Sequence, residues 1–563
     1  MKRIIPLLLA AVLVVSLGLA GCGAGNTGET TAAATTAAGT TSQGTAQQAI
    51  DPLGKYEQPI TITYGRIVQA EQKFLEGESY DNNVWMKEFE SELGIKVKAA
   101  WEAAPDAYDT QLNLSILSGE LPDFFKVNNA AQLQQLVAGD MVVDLTEVNE
   151  KWRSPLVKGF MEMGKGLAEE QCSINGKLYA YPTGTVVPEQ ESFVYIRDDL
   201  RQELGIAEPK TMEDLLALAK AMVDSKKVKY AFAIGNNPVT EGYMNLIGFF
   251  NAYDAFPNTW IKKDDKLVYG AIQPEMKNAL AVLKQAYAGG LIDKEFVAKD
   301  NGTAAQDVVN GNAGICFGQF WMNGWPLPDA YTNNKFDMRG YSIPFSSSAT
   351  LKKVQGSAVA LTSNSSTYCV RKGYEHPEAI AKMSNYFIEK GYGATADTTK
   401  YRINGDVNVF STSPVGGGGA PYYNVSIQKA VTDAIDKKDE SLVANDAQMK
   451  AAFESLTKYL SGTFETPNFT DYKFFYGPKS IFAIEDSYIQ NGQIMPSEFY
   501  GADTPEMIRK MSALRTAEIQ MILSIVSGAK DINEFDNFVT DWNKQGGELI
   551  TAEVNDWKVK MGK

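Results

Sequence analysis

Between residues 59 and 129 the chain changes hydrophobic period four times, and this alternation restricts the folds open to it more than any other feature. "PITITYGRI" (59–67) alternates as a strand, and "NNVWMKEFESELG" (82–94) has a helical period closed by Gly94. "IKVKAAW" (95–101) alternates again, "AYDTQLNLSILSG" (107–119) is helical up to Gly119, and "LPDFFKVNN" (121–129) is a short buried strand. Strands separated by helices predict an α/β fold whose parallel sheet is covered on both faces. Ligands of such sheets sit beyond the carboxyl ends of the strands, here at Arg66, Trp101, Asn128 and Asn129.

Upstream lies a different kind of sequence. Lys2 and Arg3 precede an apolar run from Ile4 to Leu19, shorter than a membrane span requires and ending in small residues. This reads as an export signal, and Leu19-Ala20-Gly21-Cys22 resembles the lipobox of bacterial lipoproteins. That resemblance implies cleavage before Cys22, lipidation of its sulfur and anchorage to the outer face of the cell membrane. Residues 22–57 are mostly Ala, Thr, Gly, Ser and Gln, with too little apolar surface to offset ordering. A flexible tether of that length reaches roughly 30 Å.

The body that follows is too long for one core. The formal charge of the whole chain, −15, is interspersed, which argues against nucleic acid. Beyond Cys22 the cysteines are Cys172, Cys316 and Cys369, an odd number without metal spacing, expected as small buried hydrophobes. The single histidine, His376, precedes a proline that opens a helical pattern. With one histidine, two-histidine zinc patterns are impossible and a Ser-His-Asp site would depend on that residue alone. The Gly-rich "PVGGGG" (414–419) lacks the Lys-Ser/Thr of a phosphate loop. No catalytic residue, cofactor or metal is predicted. Two-carboxylate glycoside chemistry needs so little that composition does not exclude it.

Seven further stretches occur in colinear order: "LSGELPDFF", "GDMVVDLTE", "INGKLYAYP", "VYIRDDLRQELGIAEPKTMEDLLALAKAM", "AYAGGLIDKEF", "VVNGNAGICFGQFW" and "NEFDNFVTDWNKQGGELITAEVNDW". Together they resemble the extracellular solute-binding lipoproteins that serve ABC importers of oligosaccharides, in the large LplA-like branch, with a more distant similarity to maltose-binding protein. The resemblance implies a two-lobed, periplasmic-binding-protein-like (type II) α/β fold with a hinge and an interlobe ligand cleft. It places the first lobe in 58–182 and 359–413 and the second in 183–358 and most of 414–563. Crossings are expected near "AYPTG" and "GSAVALTSNSS". The implied partners are an oligosaccharide, the permease subunits of an importer and, through the anchor, the membrane, with the protein itself a monomer.

Sugars present hydroxyls and apolar ring faces together, so their sites combine aromatic platforms with polar side chains. Trp321 in "GQFWMNGW" is the leading platform, matching a tryptophan similarly placed in maltose-binding protein, with Trp325, Trp101 and Tyr181 behind it. Arg66, Asn128, Asn129, Arg402 and Asn404 form the expected polar set. Some relatives carry an Asp/Asn-rich calcium loop. Here "EEQCSINGKLYA" and "IKKDDKLVYG" supply too few consecutive oxygen ligands, and no calcium is expected at either. An exported carbohydrate-active enzyme and a ligand-sensing lipoprotein fit the same export and composition.

Overall fold

The computed structural model describes residues 50–561, apart from 70–71, 186, 188–191, 240–241, 357–366, 395, 406 and 417–418. Residues 50–57, expected as the end of the tether, are instead packed onto the folded body, with Lys382 Nζ donating to Asp51 O at 3.1 Å and the Tyr56 hydroxyl to Glu378 at 2.6 Å. Cys22, the lipobox and residues 22–49 lie outside the described residues. So do most of the second expected crossing and two residues of the Gly-rich stretch.

In chain order, the elements that position the site are β1 (Ile60–Ile67), α1 (Val84–Leu93), β2 (Ile95–Ala103), α2 (Tyr108–Ser118), β3 (Phe124–Lys126) and α3 (Ala130–Ala138). There follow β4 (Tyr181–Pro182), β5 (Phe193–Arg197), β6 (Tyr230–Ala233), β7 (Ala313–Gly318), β8 (Met338–Tyr341) and β9 (Thr367–Val370). The chain ends with α4 (Ala379–Tyr392), α5 (Tyr423–Lys437), α6 (Pro505–Val526) and α7 (Glu548–Lys560).

The alternation at the start becomes β1, β2 and β3, paired in parallel as β2-β1-β3. Gly94 and Gly119 close α1 and α2 with φ of 70° and 74°, where a side chain would be strained. The sheet is not wholly parallel. The returning strand β9 adds antiparallel to β3, and β4 antiparallel to β9, giving the order β2-β1-β3-β9-β4. A second sheet, β8-β5-β7-β6, is also mixed, with β7 parallel to β6 and antiparallel to β5. Strands that enter a sheet from the other lobe need no crossover helix, so they are free to run against their neighbours.

Each sheet has its own core. One gathers residues from Ile62 to Tyr181 and from Tyr368 to Val415. The other gathers residues from Phe193 to Val354 and from Val425 to Val554. A third, small cluster packs α5 against the helix Ala447–Leu460 through Ile427, Val431 and Leu456. Cys172, Cys316 and Cys369 are free and buried in the cores, as expected. Among the described residues no helix is long and apolar enough to cross a membrane.

Both stretches weighed as calcium loops fold as hairpins. Ser173–Ile174 pairs with Lys177–Leu178 around Asn175-Gly176, and Trp260–Lys263 pairs with Lys266–Tyr269 around Asp264-Asp265. All four turn residues have positive φ. Asn-Gly is among the strongest hairpin signals. Asp265 is taken up by Lys558, whose Nζ lies 3.0 Å from its carboxylate.

The second core buries one acid. Glu518, on α6, accepts a hydrogen bond from the Tyr269 hydroxyl at 3.0 Å, and the Tyr269 ring stacks on Trp542 with centroids 5.3 Å apart. Burial pushes the Glu518 carboxyl up to about 7, against the smaller opposing effects of Tyr269 and Arg515. The folded form therefore keeps a proton that the unfolded chain gives up near pH 4.5, so this group's contribution to stability is full below that pH. The contribution is lost as pH rises through 7, a change on the order of 3 kcal/mol. Glu518→Gln, which mimics the protonated acid, should match the parent near pH 5 and be the more stable of the two near pH 8. Urea denaturation at both pH values checks this, and an unchanged pH dependence in the variant would refute it.

Candidate functional site

The carboxyl ends of the first sheet carry four of the sequence-predicted residues. Arg66 stands at the end of β1 with its side chain almost wholly buried. Its Nε donates to the Tyr64 hydroxyl at 2.9 Å, Nη1 to Glu102 at 2.8 Å and Nη2 to Asp81. The bond from Arg66 holds the Asp81 carboxyl below its usual range. Tyr64 and Tyr80 flank the guanidinium, with centroids 5.5 and 5.6 Å from it. Burial pushes the Tyr64 phenol up to about 12. Beside them lies a cavity of about 230 Å³, lined by Tyr64, Arg66, Tyr80, Lys126, Tyr368 and Ser413 among others.

Trp101, near the end of β2, lies over Gly65. A Cβ there would stand 2.4 Å from the indole, so only glycine lets the ring approach. The indole Nε1 is buried without a hydrogen-bond partner. Asn128 donates from Nδ2 to Asp109 at 2.8 Å, while its Oδ1 is likewise buried and unpartnered. Ser413 Oγ, in the wall of the small cavity, is a third such atom. Buried polar atoms left unpaired are uncommon and call for a partner. Asn129 instead caps α3, its side chain accepting from Gln132 N at 2.8 Å.

In the second lobe the aromatic residues gather where β7 ends. Gln319 N donates to Gly242 O at 2.9 Å, and the Tyr195 hydroxyl donates to Gln319 O at 3.0 Å, which fixes the turn. Trp321 Nε1 donates to the Gln319 side chain at 2.5 Å. Tyr243 meets both Trp321 and Trp325 edge-on, each at 5.5 Å between centroids. Trp321 is half-buried and Trp325 is 42% exposed. Tyr243 was not singled out in the sequence, where nothing distinguishes it among 26 tyrosines.

The remaining sequence-predicted residues lie elsewhere. Tyr181 is fully buried in the first core, its ring faced by the Arg153 guanidinium at 5.0 Å. Arg402 is spent inside the protein: Nη1 donates to the Tyr423 hydroxyl at 2.5 Å, lies 3.7 Å from Asp446, and its guanidinium covers the rings of Tyr392 and Tyr423. It docks α5 onto the first lobe. Asn404 belongs to a two-residue strand paired with Val407–Asn408.

A larger cavity, about 780 Å³, takes its walls from both cores. The first lobe supplies the start of α3 at Ala130 and Leu133, together with Glu170 and the hairpin around Asn175. The second supplies Tyr500 to Pro505 and the end of α7, including Trp557. The Tyr500 hydroxyl bonds the Glu170 side chain across it, and burial, with that bond, raises the phenol. Tyr500 also meets Trp557 edge-on at 4.9 Å. None of the sequence-predicted site residues lines this cavity, although Ala130 directly follows Asn129.

Two α/β lobes, each with its own sheet and core, and a cavity walled by both define a two-lobed binding protein of the periplasmic type. The chain belongs to the bacterial extracellular solute-binding protein family, which residues 73–394 match. Among characterised proteins it is similar to lipoprotein LipO of Bacillus subtilis, 26% identical over 42% of this chain and 46% of LipO. It is also similar to the polygalacturonan/rhamnogalacturonan-binding protein YtcQ of the same organism, 24% identical over 41% of this chain and 46% of that protein. The chain thus spans about half the length of the curated relatives it matches. Among solved structures it resembles an extracellular solute-binding protein from Bifidobacterium longum subsp. infantis, with TM-score 0.57 and 15% identity over 90% of this chain and 99% of the other. That likeness carries the fold, as the sequence led one to expect.

Proposed function

We propose that this protein is a membrane-anchored capture protein that binds an oligosaccharide between its lobes and delivers it to an ABC importer. The observation that carries the reading is the cavity of about 780 Å³ walled by both cores, with Tyr500 and Trp557 beside polar groups. A ligand that touches both walls binds the closed arrangement better than an open one, and this difference in affinity drives closure. The carbohydrate class is supported by YtcQ, whose name records binding of polygalacturonan and rhamnogalacturonan.

A thermal-shift screen of the tether-free body against oligosaccharides tests the reading. A ligand at 100 times its dissociation constant stabilises by about 2.7 kcal/mol, and the hit should also reduce the radius of gyration in small-angle scattering. A panel without a single hit would overturn the sugar reading. A true ligand with an identical scattering profile would overturn closure.

The anchor is tested separately. Cys22→Ser should shift the protein from the membrane fraction to the medium or leave uncleaved precursor, because lipidation needs the sulfur. Unchanged membrane retention with normal signal cleavage would remove the anchor from the proposal.

A further inference from the structure

Resting on the reading of the interlobe cavity as the sugar site, we infer that this site selects uncharged oligosaccharides and turns away uronic-acid sugars. Its wall carries four carboxylates, Glu170, Asp503, Glu553 and Asp556, against one ammonium, Lys560. The amino end of α6, a source of partial positive charge, opens at Thr504 and Pro505 on the same wall. It is already answered: Glu553 accepts from Glu506 N at 3.1 Å. An anionic ligand therefore enters a wall of its own sign.

A second observation points the same way. No arginine is among the described residues that line the cavity, and the two that the sequence placed near a ligand are paired elsewhere with the protein's own acids, Arg66 with Asp81 and Glu102, and Arg402 with Asp446. A sugar carboxylate in this cavity finds only Lys560 to set against the four carboxylates, and it must also give up its own hydration. Hydroxyls meet no such obstacle. They donate to carboxylates and accept from the indole and amide groups, while their ring faces lie on Tyr500 and Trp557. Binding of galacturonans, recorded in the name of YtcQ, is thus not expected to transfer to this chain.

The test is calorimetry of the tether-free body with uronic-acid oligosaccharides, their methyl esters, which keep the skeleton and lose the charge, and a panel of neutral tetrasaccharides. Titrations run at about 20 mM and about 500 mM NaCl, because screening over a few ångströms at high salt weakens repulsion between partly exposed charges. The expected result is binding of at least one uncharged member, with uronates at least roughly ten-fold weaker at low salt and the gap narrowing at high salt. Asp503→Asn with Asp556→Asn should narrow the low-salt gap and leave the apo melting temperature unchanged, since both side chains are exposed.

A uronate that binds as tightly as its ester overturns the inference and leaves sugar binding standing. A gap unaltered in the double variant overturns its assignment to these carboxylates. If no saccharide of any set binds, the sugar reading itself falls, and the inference with it.

Discussion

Replacing Trp85 with alanine should cost about 3–5 kcal/mol, the range for truncating a buried aromatic in a closely packed core. Trp85 projects from α1 with no exposed surface, against Phe387 at 4.8 Å and Tyr401 at 5.2 Å between centroids. Its Nε1 donates to Val409 O at 2.9 Å. These partners arrive roughly 300 residues later, after the chain has built most of the second lobe, so the ring fastens the returning segment to the opening one. Alanine leaves a cavity and a buried carbonyl without its donor. Trp85→Phe keeps most of the apolar contact and should lose distinctly less. Urea denaturation followed by tryptophan fluorescence and by circular dichroism checks both values. Because a two-lobed protein need not unfold in one step, the transition of the first lobe, whose core holds Trp85, should be the one that moves. A loss under about 1 kcal/mol for Trp85→Ala would show that the return segment is held by other contacts.

If the ligand reaches from the cavity walled by both cores, which Trp321 does not line, to the aromatic cluster at the end of β7, Trp321→Ala weakens sugar affinity by ten- to several-hundred-fold while leaving the apo protein close to its original stability. The expectation combines a lost ring contact of about 0.5–1.5 kcal/mol with lost apolar burial at roughly 25 cal/mol per Å². The structure sharpens it. Trp321 is half-buried beside Tyr243, with its indole nitrogen held by Gln319 at 2.5 Å. A ring oriented in this way is pre-organised as a platform, and part of its surface stays open. A core tryptophan would behave otherwise, with a fall of about 3–5 kcal/mol in apo stability. Measuring the apo melting temperature beside the binding isotherm separates the two roles. A well-folded variant with unaltered affinity would remove Trp321 from the site. Trp325→Ala serves as a comparison at the more exposed edge of the same cluster.

What the sequence determined by itself is whatever depends on neighbours within a few residues. The change of period between residues 59 and 129 dictated β1, α1, β2, α2 and β3, because a strand and a helix expose apolar side chains at different spacings. Gly94 and Gly119 marked two helix ends for the same local reason, the positive φ that a helix stop requires. Burial of the three cysteines followed from their chemistry and their apolar surroundings. The Asn175-Gly176 turn is as plainly encoded, because Asn-Gly supplies the positive φ that a two-residue hairpin turn requires.

Only the tertiary structure decided which side chains share a space and which charges are already spent. Arg402 reads in the sequence as an open polar residue, yet Tyr423 and Asp446 claim it once α5 folds back. Tyr181 reads as a platform, yet the mixed first sheet turns it into the core beneath Arg153. Ala130 and Trp557 stand on facing walls of one cavity although more than 400 residues separate them. No local pattern encodes such a meeting. It is set by how two separately packed cores close on one another, and side-chain proximity across that gap has no period along the chain.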